Sequence, residues 1–371
     1  MKSRGDLMSF RILSVFPRET TTRVGLFDGR VETTRVEIRH DREELLKFDT
    51  VPEQWSHRLR AVEEFLAGSQ EKTGEGGIDA VIAPSGVVRG LNGGVYVVDR
   101  KFLEIVKKCA GQGRSIDLGA PLADALSRSR KARAFSIVSI SSDELDPLSR
   151  ISGLPDLLFS RWPYTLRVQD AIIRASDEMG RQLSELSLIV AYLGTNFMIC
   201  SYKNGRVLDL SSSNERGPFS TTKSGALPAA ELVRHAYSGM WSMDSLLEKV
   251  NTHGGMKSYV GTENLNEISR LDAAGDVYSG LILRAMAYQT AQEICAQAAV
   301  LKGGVDAVVL AGTCVENDAF VELIHERIRW ITDKILHFRG GDGLKIMANF
   351  AFRVLNGDER AILPHSEWSV H

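Results

Sequence analysis

Arg11-Ile-Leu-Ser-Val15 runs through Phe16-Pro-Arg-Glu-Thr-Thr-Thr22 into Arg23-Val-Gly-Leu-Phe27, turns at Asp28-Gly29 and continues as Arg30-Val31-Glu32. The second half writes the pattern again as Ser187-Leu-Ile-Val-Ala191, Tyr192-Leu-Gly-Thr-Asn196, Phe197-Met-Ile-Cys-Ser-Tyr-Lys203, Asn204-Gly205 and Arg206-Val-Leu-Asp209. Setting Gly29 on Gly205, a shift of 205 − 29 = 176 residues, aligns the first strands, the loops and the turns without a gap. Asp-Gly and Asn-Gly are strong hairpin signals because both central turn positions favour positive φ. Two such units in register, each behind a short apolar strand and a polar loop, predict a duplicated domain whose halves face each other across a cleft.

At 371 residues the chain is longer than one hydrophobic core organises, so two domains are expected. Its 43% hydrophobic and 25% charged residues, with a net charge of -2, argue for a globular protein and against nucleic-acid or membrane partners. No apolar run reaches bilayer length, and Met1-Lys-Ser-Arg-Gly-Asp-Leu lacks a following signal-peptide core, so a cytoplasmic chain is expected. Cys109, Cys200, Cys295 and Cys314 are scattered without a C-x-x-C pair, and the eight histidines are equally dispersed. That spacing assigns no metal centre and no disulfide framework.

Strand and helix patterns alternate. Glu43 to Gly68 carries helical spacing broken at Pro52, Ile78–Ala83 and Ala134–Ile140 read as buried strands, and Tyr164–Met179 reads as a connecting helix. Tyr278–Lys302 is apolar almost all round, which predicts burial on most faces. It stops at Gly303-Gly304, and Val305–Leu310, the turn Ala311-Gly312-Thr313 and a helix over Ala319–Ile335 follow. A turn between the carboxyl end of a strand and a helix is where α/β proteins bind ligands.

Ala285-Met-Ala-Tyr-Gln-Thr-Ala-Gln-Glu-Ile294, Ala299-Val-Leu-Lys-Gly303 and Val305-Asp-Ala-Val-Val-Leu310 resemble the core of the butyrate kinases, members of the acetate and sugar kinase superfamily. Ser149-Arg-Ile-Ser-Gly-Leu-Pro155, Gly217-Pro-Phe-Ser220, Gly254-Gly255 and Tyr259-Val-Gly-Thr-Glu-Asn264 match further family segments in the same order, and the similarity runs from about Ser9 to about Gly357. The resemblance implies an α/β fold of two duplicated actin-like ATPase domains flanking a nucleotide cleft. By the same resemblance residues 1–184 are expected to form the acyl side and residues 185–371 the nucleotide side, with the last helix packing back on the first domain. It also implies a homo-oligomer in which ATP, with Mg2+, phosphorylates butyrate or another short-chain carboxylate to an acyl phosphate.

Such chemistry sets a negative nucleophile against a negative phosphoryl group, so catalysis is positioning and charge neutralisation. The family's first loop, of Asn-Pro-Gly-Ser-Thr-Ser-Thr-Lys type, is here Phe16-Pro17-Arg18-Glu19-Thr20-Thr21-Thr22-Arg23, which sets the anion Glu19 where phosphate is expected. The second, of His-Met-Gly-Gly-Gly type, is Tyr192-Leu-Gly-Thr-Asn196, and the adenosine-side Gly-Gly is Gly312-Thr313. By this correspondence Thr20, Gly194, Thr195, Asn196, Gly312 and Thr313 are the candidate phosphate and nucleotide contacts. Thr21, Arg23, Arg89 and Lys223 are the candidate catalytic groups. Val138 stands where the family has an Asp, Tyr164 where it has a catalytic His and Asn214 where it has an acid, while the late acidic cluster keeps only Asp342.

Blocks that define the fold remain while residues touching phosphate, metal or acyl group have changed. This reads as phosphotransfer weakened or lost, with a nucleotide-sensing or partner-binding role left. The alternative is an active, divergent carboxylate kinase using Thr21, Arg23, Asn196, Lys223 and Arg89. Trp162 and Tyr164 are expected to fill the old acyl pocket, and Met240-Trp241 to serve oligomer contacts.

Overall fold

Among the described residues eleven strands, formed where the apolar runs are short and bounded by turn residues, arrange into two sheets whose shared core has one topology. The structure, a computed structural model, describes residues 10–68, 77–86, 88, 90–109, 114–139, 145–159 and 166–364. In the first sheet β1 (Arg11–Pro17), β2 (Thr21–Asp28), β3 (Val31–Arg39), β4 (Ala80–Gly86), β5 (Gly94–Val97) and β6 (Arg133–Val138) lie in the order β3-β2-β1-β4-β6-β5. In the second, β7 (Ser187–Leu193), β8 (Phe197–Lys203), β9 (Arg206–Ser212), β10 (Ala307–Gly312) and β11 (Ile335–Arg339) lie in the order β11-β10-β7-β8-β9. Each sheet opens with an antiparallel meander, and its first strand then pairs parallel with the first of two later strands, which pair parallel in turn. The extra strand β5 adds antiparallel to β6 at the edge of the first sheet.

The chain divides into two compact units, one from Met1–Ser141, Trp162–Leu166 and Asp342–His371, the other from Ser142–Arg161 and Arg167–Gly341. In the first, Leu13, Val15, Val24 and Val81 of the sheet meet Val62 and Leu66 of the helix Trp55–Gly68 and Leu122 and Leu126 of the helix Gly119–Arg130. Burying each such side chain contributes about 1.5–3 kcal/mol. The helix Gly343–Asn356 also packs on β1, β2 and β4. In the second, the helices Val277–Val300 and Asp318–Ile328 supply Met286, Ala287, Phe320 and Ile324 to a core with Ile189, Phe197 and Val308. Among the described residues no helix is long and apolar enough to cross a membrane.

Three expectations are corrected. The two hairpins do not superpose without a gap. Pro17 pairs with Thr22, leaving residues 18–21 in the first loop, whereas Leu193 pairs with Phe197, leaving residues 194–196 in the second. The missing residue moves the turn. Asn204 and Gly205 both take positive φ (52° and 84°), but in the first hairpin Asp28 is still paired, and of the central pair Gly29 and Arg30 only Gly29 has positive φ (59°). Second, the long helix is not covered on most faces: Tyr278, Leu281 and Tyr288 are about half exposed, because its core contacts run along one stripe through Leu283, Met286, Ala287, Ala291 and Ile294. Third, the helix expected over Ala319–Ile335 ends at Ile328, and Ile335 opens β11.

Candidate functional site

In the first unit the loop after β1 is built over a buried arginine. Arg58, on the helix Trp55–Gly68, has no solvent exposure. Its Nη1 donates to the carbonyls of Arg18 (2.8 Å) and Thr21 (3.1 Å) and to Thr22 Oγ1 (3.3 Å). Its Nη2 donates to the Glu19 carbonyl (2.7 Å) and to Gln54 Oε1 (3.0 Å). Burial lowers the guanidinium pKa to about 10, so the group is charged at neutral pH. Thr22 Oγ1 also bonds His40 Nε2 at 2.8 Å, and burial, followed by the charges of Arg58 and His57, lowers that imidazole to about 4. A neutral ring and a charged fork thus share one hydroxyl. Neither Arg58 nor His40 was a candidate from sequence, since nothing local marks which arginine of a charged helix is buried.

The candidates of this loop sit on its outer side. Thr20 and Glu19 are exposed and Thr21 is half-buried beside a cavity of about 480 Å³ that Arg18, Glu37 and Ser115 also line. Arg23 points elsewhere: its Nη2 lies 3.2 Å from Asp342 Oδ2, and Arg35 bonds the same carboxylate. Asp342 caps the helix Gly343–Asn356 by accepting the Leu344 N–H at 2.8 Å. Burial alone would raise its carboxyl, but that amide and the two guanidiniums hold it below the usual carboxylate range. Arg89, Trp162 and Tyr164 lie outside the described residues.

In the second unit, glycines rather than a charge shape the corresponding loop. Gly194, Thr195 and Asn196 follow β7, and Gly312 ends the neighbouring β10 with φ 108°. A Cβ at Gly312 would stand 2.4 Å from the Leu193 carbonyl oxygen, so only glycine lets the two strand ends come together. Cys314 Sγ lies 3.6 Å from the Gly194 carbonyl, and burial pushes its thiol up to about 12. Gly340, past β11, bridges Gly312, which adds a third glycine turn at the carboxyl ends of β7, β10 and β11. The structure therefore gathers Gly194, Thr195, Gly312 and Thr313 on one sheet edge, with Thr195 and Thr313 exposed. Asn196 Oδ1 is buried there without a hydrogen-bond partner among the described residues.

A strap missed at the sequence level fixes this edge. Ser220 Oγ donates to the Thr195 carbonyl at 2.6 Å, and Thr222 Oγ1 reaches it at 3.4 Å. Lys223, a candidate catalytic group, instead donates from Nζ to the Asn251 carbonyl at 2.9 Å, at the carboxyl end of the helix Met243–Asn251, and burial lowers its pKa. Lysine favours that end of a helix dipole.

The acetokinase family model matches residues 171–332. A probable butyrate kinase 2 from Caldanaerobacter subterraneus subsp. tengcongensis is 32% identical over 350 residues, 94% of this chain and 98% of that protein. The chain belongs to the acetokinase family. Acetate kinase from Porphyromonas gingivalis superposes with a TM-score of 0.76 at 15% identity, covering 95% of this chain and all of that one. The Entamoeba histolytica acetate kinase superposes with a TM-score of 0.69 at 12% identity, covering 95% and 99%. These likenesses establish the fold, the mixed α/β actin-like ATPase architecture. Acetokinases in general use ATP and Mg2+ on short-chain carboxylates. Asp342, the acid that remains of the family's late acidic cluster, does not fit Mg2+. Its carboxylate is already neutralised by Arg23 and Arg35, and a hard dication needs free carboxylate oxygens.

Proposed function

We propose that this acetokinase binds ATP through the glycine-rich edge of its second unit and transfers the phosphoryl group to carboxylates weakly or not at all, serving as a nucleotide sensor. One observation carries this reading: among the described residues, the candidate charged side chains for phosphoryl transfer are committed elsewhere. Arg23 is paired with Asp342, Lys223 caps a helix, and Asp342 has two arginine partners. Glu19 and Glu37, both lining the first-unit cavity, would repel an incoming phosphoryl group. On this reading Gly194, Thr195, Asn196, Gly312 and Thr313 hold the nucleotide phosphates, which is supported by the positive φ of Gly312 at the end of β10 and by the exposed hydroxyls of Thr195 and Thr313. Bound ATP supplies the γ-phosphoryl group; the protein supplies backbone amides and hydroxyls to hold it.

The test measures ATP binding by calorimetry and acyl phosphate trapped with hydroxylamine, using butyrate, isobutyrate and acetate with Mg2+. ATP binding with acyl phosphate formation at or near background is expected. Turnover at an ordinary kinase rate of about 1–100 s⁻¹, abolished by Lys223→Ala, would overturn the reading. An active short-chain carboxylate kinase is the second reading, favoured by 32% identity that extends over 98% of a probable butyrate kinase. It predicts that Lys223 leaves the Asn251 carbonyl when substrate binds.

A further inference from the structure

Arg58 has five acceptors and no carboxylate. They are the carbonyls of Arg18, Glu19 and Thr21, the Thr22 hydroxyl and the Gln54 amide oxygen, and among the described residues no acid lies within ion-pair distance of it. A fully buried cation neutralised by dipoles alone is costly, and the usual remedy is an acidic neighbour. Here the dipoles belong to one loop. The carbonyl oxygens of Arg18, Glu19 and Thr21 point at the guanidinium while that of Thr20 accepts the His40 N–H, and a peptide whose oxygen points inward directs its N–H outward. The Arg18 N–H is taken by the Thr21 carbonyl at 2.8 Å, whereas the amides of Glu19 and Thr20 donate to no acceptor among the described residues. Both residues are exposed and line the cavity.

We propose that Arg58 is the positioning residue of the loop 18–21: it turns the loop's carbonyls inward and lends its uncompensated charge to the outward amides of Glu19 and Thr20, which receive a phosphoryl oxyanion. Successive outward amides over a positive centre form an anion-binding nest. The inference rests on the reading that this chain handles phosphoryl groups, and it adds why the loop keeps an anion site after losing the glycine that Arg18 replaces. Glu19 weakens the site with its side chain while its own backbone helps build it. His40 belongs to the same support: kept neutral, it adds no second buried charge beside Arg58.

The probe is inorganic phosphate, titrated calorimetrically into the full chain, with hydrogen exchange reporting residues 16–23. In the parent protein, phosphate should slow exchange at Glu19 and Thr20, with Arg18 already protected. No change at those amides would overturn the loop as an anion site, and this inference with it. Given that protection, Arg58→Lys keeps the charge and loses the fork, while Arg58→Gln loses both. At matched thermal stability, Arg58→Lys should bind phosphate about 10-fold more tightly than Arg58→Gln. Equal losses in the two would reduce Arg58 to a structural brace and overturn the proposal, while leaving nucleotide binding by the second unit untouched. Should neither variant fold, Gln54→Glu answers the question. It preserves the acceptor at 3.0 Å and cancels the charge, so melting temperature should hold or rise while phosphate affinity falls. Unchanged phosphate affinity in folded Gln54→Glu overturns the proposal.

Discussion

Residues 18–21 follow β1 and residues 194–196 follow β7, equivalent places in two sheets of the same topology, yet the two loops are held by different physics. The first is fastened from within by a buried cation whose bonds reach backbone oxygens and one hydroxyl. The second is fastened by closeness: Gly312 lets β10 approach Leu193, and Ser220 ties the Thr195 carbonyl. A charge-held loop tolerates bulky residues such as Arg18 and Glu19 because its shape is set by carbonyls, not by the room around Cβ atoms. A contact-held loop tolerates none at its closest point. The difference teaches which substitutions in this family member destroy a site and which merely retune it.

The largest effect should come from breaking the contact-held loop. Gly312→Val places a branched side chain at φ 108° and a Cβ 2.4 Å from the Leu193 oxygen. Chemical denaturation should show a loss of roughly 4 kcal/mol or more, together with loss of ATP binding. A variant that keeps parent stability would show that the strand ends are not held by their closeness.

The charge-held loop should instead break with acid. His40 has an ordinary pKa of 6.5 and a folded value of about 4. Below 6.5 the unfolded chain takes up a proton that the native ring refuses, so stability is full above 6.5 and falls as pH drops toward 4. The share lost is roughly 3 kcal/mol. Urea unfolding at pH 7.5, 5.5 and 4.5 should show this slope, and His40→Gln should flatten it. An equally steep slope in the variant would place the acid sensitivity elsewhere.

Thr22→Val sharpens the comparison further, because it removes the hydroxyl shared by Arg58 and His40 at nearly constant volume. Leaving buried polar groups without that partner should cost about 1–3 kcal/mol. The equivalent position in the second unit, Phe197, has no hydroxyl and pairs across the sheet with Leu193. Melting temperatures of Thr22→Val and Thr22→Ser, the latter expected near the parent, separate the hydroxyl from the methyl group.

Much of this contrast was legible from the chain. The duplicated strand, loop and hairpin follow from short apolar runs and turn residues, and Gly312 stood out as a glycine between a buried strand and a helix. The one-residue shortening of the second loop was not, because the slip is absorbed in the turn and both hairpins still offer a glycine there. Strand β11 was hidden by Ile328, Ile331 and Ile335, whose spacing extends a helical stripe past the helix end. Arg58 was invisible for a different reason. Its neighbours His57, Arg60, Glu63 and Glu64 make the helix look solvated, and its burial is decided by carbonyls some 40 residues earlier in sequence.

The smallest effect tests whether the charge-held loop is retuned rather than destroyed. Glu19 holds the Arg58 fork through its carbonyl at 2.7 Å while its side chain is exposed and lines the cavity. Glu19→Gln therefore leaves the scaffold intact and removes a negative charge next to the amides expected to receive phosphate. Exposed charges act through solvent, so inorganic phosphate should bind only about 3-fold more tightly at low salt. The gain should shrink as ionic strength rises, because the Debye length contracts to about 8 Å at physiological salt. Stability should be unchanged, since no hydrogen bond of the fork involves the carboxylate. A gain that persists in high salt would mean that the carboxylate blocks the loop sterically, and a loss of affinity would mean that phosphate binds away from this loop.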